Sequence, residues 1–138
     1  MTEISLDRLR AAVSAVVRDV PEVAAVYAYG SRTSGRPLPH SDLDLAFVLA
    51  GAPPPDPLLA ERLSARIAVE LRTGIEIDGH LAEHLPLPVR GRVVTTGVLL
   101  FERDPVRRVG FETTTRRLYF DFLPFIERDA RIVLGARG

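Results

Sequence analysis

The run Val26-Tyr27-Ala28-Tyr29-Gly30-Ser31, followed after ten residues by Asp42-Leu43-Asp44-Leu45-Ala46-Phe47-Val48-Leu49, decides how this chain is read. Two apolar runs of strand length flank a polar, proline-bearing loop. The first ends in Gly-Ser and the second opens with carboxylates at i and i+2. Alternate residues of a strand share a face, so Asp42 and Asp44 project together while Leu43 and Leu45 enter the core. Their backbone positions then lie roughly 6.5–7 Å apart, which lets both carboxylates converge on one divalent cation. Gly30 and Ser31 offer backbone N–H groups without a blocking Cβ, together with a hydroxyl donor, a combination suited to a phosphate. A phosphate grip beside metal carboxylates points to nucleotide chemistry.

Working outward, Ser5 to Val17 has Leu6, Leu9, Val13, Val16 and Val17 at helical spacing, with Ser5 or Thr2 as cap. Glu22 to Tyr29 reads as the first strand and Asp42 to Leu49 as the second, with a short helical turn over 31–35 between them. A stiff connector through Pro53-Pro54-Pro55 leads to a helix capped by Asp56, with Pro57 first, a core stripe of Leu59, Leu63, Ile67 and Leu71, and a stop at Thr73-Gly74. Ile75-Glu76-Ile77-Asp78 alternates isoleucine with acid, so Glu76 and Asp78 share one face of a third strand. A third carboxylate beside Asp42 and Asp44 is what a two-metal site needs. Residues 81–97 hold valines at helical spacing, although their β-branched content and Gly91 also allow a strand. Val98 to Glu102 forms an edge strand. Asp104 and Pro105 then open a long helix that is expected to kink or break at Pro124. On it Leu118, Phe122 and Phe125 form one stripe, with Tyr119, Phe120 and Ile126 beside it. Flanked by Arg116, Arg117 and Arg128, these aromatics have the composition of a protein interface.

These elements predict an α/β (α+β) fold, a small mixed sheet with helices packed on it, in a single domain spanning 1–138. The formal net charge of zero argues against direct nucleic-acid binding. All basic residues are arginine, and the missing lysine excludes a Walker A lysine, a kinase-type strand lysine and Schiff-base chemistry. The absence of cysteine excludes disulfides and thiolate sites. No run reads as a membrane span or signal peptide, so a cytoplasmic location is expected.

Gly30-Ser31, ten residues, then Asp42-Leu43-Asp44 resembles the signature of the DNA-polymerase-β-type nucleotidyltransferases. The short length and later segments are similar to their minimal branch, the MNT proteins paired with HEPN-domain partners in toxin–antitoxin operons. The likeness runs from about Val23 to Glu127, and it is sharpest at Gly-Ser and Asp-x-Asp. Thr96 to Glu102 resembles the family's Gly-x-Leu-x-Tyr/Phe-Glu segment. Counting back from it places Asp78 on the third-aspartate position, with Glu76 as the fallback. Gly79-His80 departs from the family's apolar continuation and implies a strand shortened at Asp78. The resemblance also implies a helix over 81–97.

What the resemblance implies is a polymerase-β-like fold in which Asp42, Asp44 and Asp78 hold two Mg²⁺ ions and Gly30 and Ser31 hold the triphosphate of ATP; Arg32, directly after Gly-Ser, stands where a guanidinium reaches the same triphosphate. The implied reaction is transfer of AMP to a hydroxyl, a tyrosine, of a HEPN ribonuclease toxin, making the chain an antitoxin. Partners expected are that toxin and a nucleoside triphosphate, with homo- or hetero-oligomerisation through the C-terminal helix. Two rivals stand beside this: an antitoxin that neutralises by binding alone, and a small-molecule (antibiotic) nucleotidyltransferase. Intact Gly-Ser and clustered acids argue against the first, and the lack of room for an acceptor domain against the second.

Overall fold

A computed structural model describes residues 4–30, 42–51 and 56–137. Ser5 caps the first helix by accepting the N–H of Arg8 at 3.1 Å, and α1 (Leu6–Val17) buries Leu9, Ala12, Val13, Val16 and Val17. Leu6 stays exposed; Thr2 lies outside the described residues. The strands β1 (Val23–Tyr29) and β2 (Leu43–Leu49) pair antiparallel, with Tyr29 opposite Asp44. Every residue of β1 is buried, because β1 and β2 form the middle of the sheet and are covered on both faces.

The second helix, α2 (Leu59–Leu71), begins two residues later than the Asp56-Pro57 signal implied. The Asp56 carboxylate accepts from the N–H of Leu58 at 2.9 Å, so it closes a turn ahead of the helix and the first helical residue is Leu59. Leu63, Ile67 and Leu71 are buried as the stripe requires. The helix stops at Arg72, a left-handed residue with φ +55°, followed by Gly74 at φ +74°.

The third strand departs from its expectation. Strand β3 covers Ile77–Leu81, so it runs through Gly79-His80 instead of ending at Asp78. Gly79 is buried where any Cβ would overlap Ser64 Oγ and lie 2.7 Å from Phe47 Cε2. Glycine therefore lets the strand lie flush on α2, and it pairs parallel with β2 in the register Leu43↔Ile77, Asp44↔Asp78, Leu45↔Gly79 and Ala46↔His80. A 3₁₀ turn at Ala82–His84 leads to α3 (Leu87–Thr96), so of the segment 81–97 Leu81 still belongs to β3 and the helix begins at Leu87. The edge strand β4 (Val98–Glu102) pairs antiparallel with β1, giving the order β3-β2-β1-β4.

Helix α4 (Pro105–Arg137) passes through Pro124 without ending, so of the expected kink or break the break does not occur. Proline removes one N–H from the ladder, and loss of one bond does not terminate a helix of 33 residues.

Two cores sandwich the sheet. Helices α1 and α2 pack with Val26, Leu43, Leu45 and Phe47 on one face. On the other, Tyr27, Tyr29, Ala46 and Val48 pack with Val93 and Val94 of α3 and Phe111 of α4. The expected mixed sheet with helices packed on it is thus observed. Arg103 ties the ends together: its guanidinium donates to the carbonyls of Val17 and Arg18 at the C-terminus of α1 and to those of Val20 and Val23 in the turn into β1, at 2.6–2.9 Å. Among the described residues no helix is long and apolar enough to cross a membrane.

Candidate active site

Asp44 lies near the start of β2, on the face shared with Ala46 and Val48, and its strand neighbours are Tyr29 on β1 and Asp78 on β3. Because parallel neighbours in register share a face, Asp44 and Asp78 stand side by side. Asp42 precedes the strand as an exposed residue. Burial raises the Asp44 carboxyl above its ordinary value, and the negative charges of Asp78 and then Asp42 push it the same way, while His80 opposes them. The three aspartates singled out in the sequence are therefore brought close enough to act on one another.

Gly30 closes the first strand with φ +93°. A Cβ there would overlap Asp44 Oδ2 and lie 3.3 Å from Asp44 Cγ. The glycine is thus required twice, by its backbone conformation and by the carboxylate packed against it. The second demand is invisible in sequence, where Gly30 reads only as an approach for phosphate. Ser31 and Arg32, also expected to hold the triphosphate, lie outside the described residues, as does the 31–35 turn.

Glu76 sits ahead of β3, where its carbonyl accepts the N–H of Leu43 at 3.0 Å. Glu76 borders an open groove of about 630 Å³ between β3 and α2, also lined by Asp42, Glu61, Asp78 and His80. Among the described residues no group of three or more His, Cys, Asp or Glu stands as a ready metal cluster. The donor set nevertheless suits a small hard cation. Asp42, Asp44 and Asp78 offer only oxygens, and their mutual repulsion is what such a cation relieves.

Three residues at the site carried no functional weight in the sequence. Tyr29 is buried beside the aspartates, and its phenol is pushed up to about 12 by burial and by the charges of Asp44 and Asp78, with Arg92 opposing. Arg92 comes from α3, and nothing in the linear sequence connects it to this cluster. His80 Nε2 lies 3.0 Å from Asp78 Oδ1; the i, i+2 spacing from Asp78 would have placed it on this face, had the strand been continued past Asp78.

The chain matches the family model described as polymerase beta, nucleotidyltransferase, over residues 12–106. No curated protein matches it. Among solved structures, it is similar to a toxin–antitoxin structure with AMP-PNP, at 21% identity and TM-score 0.72, covering 91% of this chain and 98% of that one. A toxin–antitoxin MntA-HepT structure matches at 18% identity and TM-score 0.68, covering 93% of this chain and 98% of that one. A tri-AMPylated Shewanella oneidensis HEPN toxin in complex with MNT antitoxin matches at 18% identity and TM-score 0.67, covering 94% and 99%. At these identities the solved structures speak for the fold, and the family model for the kinship. The chain belongs to the polymerase beta nucleotidyltransferase family and is a nucleotidyltransferase.

Proposed function

We propose that this chain is an Mg²⁺-dependent adenylyltransferase of the MNT type that transfers AMP from ATP to a tyrosine hydroxyl of a HEPN-domain toxin and thereby acts as its antitoxin. The observation that carries the reading is the pairing of Asp44 with Asp78 across β2 and β3, with Gly30 closed against Asp44. Support for the partner and the transferred group comes from the fold shared with an MNT antitoxin bound to a tri-AMPylated HEPN toxin, and for the nucleotide from the structure with AMP-PNP.

Asp42, Asp44 and Asp78 would hold the cation, which when bound supplies charge neutralisation at the triphosphate and the entering oxygen. Gly30, Ser31 and Arg32 hold the β- and γ-phosphates. The acceptor hydroxyl oxygen forms a bond to the α-phosphorus, the bond from that phosphorus to the α–β bridging oxygen breaks, and pyrophosphate leaves. Asp78, exposed on the strand nearest the groove, takes the hydroxyl proton. The toxin docks on α4, where Leu118, Phe122 and Phe125 are exposed along one stripe.

The test is the intact mass of the HEPN partner after incubation with this chain, Mg²⁺ and ATP, beside the Asp42→Asn/Asp44→Asn double variant. AMP increments that vanish with the variant are the expected result. An unmodified partner that is still neutralised would replace this reading with binding alone.

A further inference from the structure

The Gly79-His80 dipeptide has no part in the proposed transfer. Its geometry is nevertheless specific. Gly79 keeps β3 flush on α2, so the strand continues in register through Leu81 and His80 emerges on the same face as Asp78. There Nε2 reaches Asp78 Oδ1 at 3.0 Å. In its Nε2–H tautomer and as imidazolium alike, the ring presents a donor nitrogen within hydrogen-bond distance of the Asp78 carboxylate.

The need for such a partner follows from where Asp78 stands. Asp44 is half-buried between two strands and closed in by Gly30, so packing alone limits its rotamers. Asp78 has a strand neighbour on one side only, and its side chain is 53% exposed. A carboxylate in that setting samples several staggered positions, and only some of them face Asp44. We propose that His80 is a positioning residue for Asp78: it engages Oδ1 and holds the carboxylate beside Asp44, leaving the second oxygen to face a cation or the acceptor hydroxyl. This inference rests on the reading of Asp78 as part of the nucleotide site. Partners of this kind, one bond removed from the ligand, set carboxylate orientation in many metal sites.

The experiment is a calorimetric titration of AMP-PNP into the metal-free chain at a series of Mg²⁺ concentrations. It is run on the unaltered chain and on His80→Ala, His80→Gln, Asp78→Asn, Asp78→Asn/His80→Ala and Asp42→Asn/Asp44→Asn, with the unfolding midpoint of each recorded. His80→Ala is expected to raise the Mg²⁺ concentration for half-maximal binding about tenfold without moving the unfolding midpoint. Glutamine, whose amide N–H reaches about as far as Nε2, restores most of the loss, and removing His80 has no further effect once Asp78 is asparagine. An unchanged Mg²⁺ dependence in His80→Ala, or an equal effect in the Asp78→Asn background, overturns the inference and leaves the site reading intact. Absence of Mg²⁺-dependent binding in the unaltered chain, or its persistence in Asp42→Asn/Asp44→Asn, overturns the site reading and the inference with it.

Discussion

Replacing Gly30 by alanine tests the contact on which the candidate site closes. Two costs can be separated on the structure. Alanine at φ +93° pays the left-handed penalty, about 1–2 kcal/mol. Its Cβ also overlaps Asp44 Oδ2, and the carboxylate must turn away from its rotamer, adding about 0.5–1.5 kcal/mol. Asp44 Cβ itself lies 3.6 Å from the added methyl, an ordinary contact, so Asp44→Ala removes the second cost and leaves the first. Urea unfolding of the four proteins in this cycle should therefore show Gly30→Ala destabilising by roughly 2–3 kcal/mol alone and by about 1–2 kcal/mol in the Asp44→Ala background. A coupling below about 0.3 kcal/mol, within the additivity of independent sites, would refute the claim that glycine is required by the carboxylate.

Further outcomes follow from the same geometry. Asp44 carries a carboxyl raised by burial and by Asp78 and Asp42, so the folded state binds its proton more tightly than the unfolded chain does. The resulting penalty is fully present above the raised value and vanishes below the ordinary value of 3.8. Asp44→Asn should thus stabilise the metal-free protein at neutral pH by roughly 0.2–1 kcal/mol, or up to about 3 °C in Tm, and the gain should disappear near pH 3.5, as scanning calorimetry across pH would register. Gly91→Ala places a Cβ into the Tyr119 ring, 2.5 Å from Cε1, and overpacking of about 1–3 kcal/mol outweighs the roughly 1 kcal/mol gained by alanine in a helix. In a Tyr119→Ala background the sign should reverse, and denaturant midpoints will tell. Arg103→Ala removes four donated hydrogen bonds, while the carbonyls of Val17 and Val20 keep the N–H groups of Val20 and Val23, and should cost about 2 kcal/mol, near 7 °C in Tm; lysine, lacking the planar fork, should recover little of it.

Much of the fold was legible because its signals are local. Ser5 and the valines of α1, the alternation of Leu43, Leu45 and Phe47, and the stripe of α2 each follow from a period and a cap. The misreadings arose where a distant contact overrules local chemistry. The third strand passes Gly79 because α2 leaves no room for a side chain there, which residues 75–80 alone do not reveal. Pro124 allows either a kink or a break, and the break does not occur because one missing donor does not end a helix as long as α4. At the site, Asp42, Asp44 and Asp78 were visible as spaced acids. Tyr29 and Arg92 reach them only through pairing of β1 with β2 and packing of α3, contacts that no spacing encodes.

The Arg103 clamp has a consequence for how the chain is made. The last turn of α1 leaves the ribosome well before the guanidinium that caps it, which is encoded some 80 residues later, directly after β4. Central strand β1 waits for the same stretch, since β4 is one of its two neighbours. A ribosome stalled before Arg103 therefore holds a nascent chain with α1 uncapped and one edge of β1 bare, a form exposed to proteases and to other nascent chains. Release of that single arginine from the exit tunnel is the moment at which the opening helix and the middle of the sheet become closed to both.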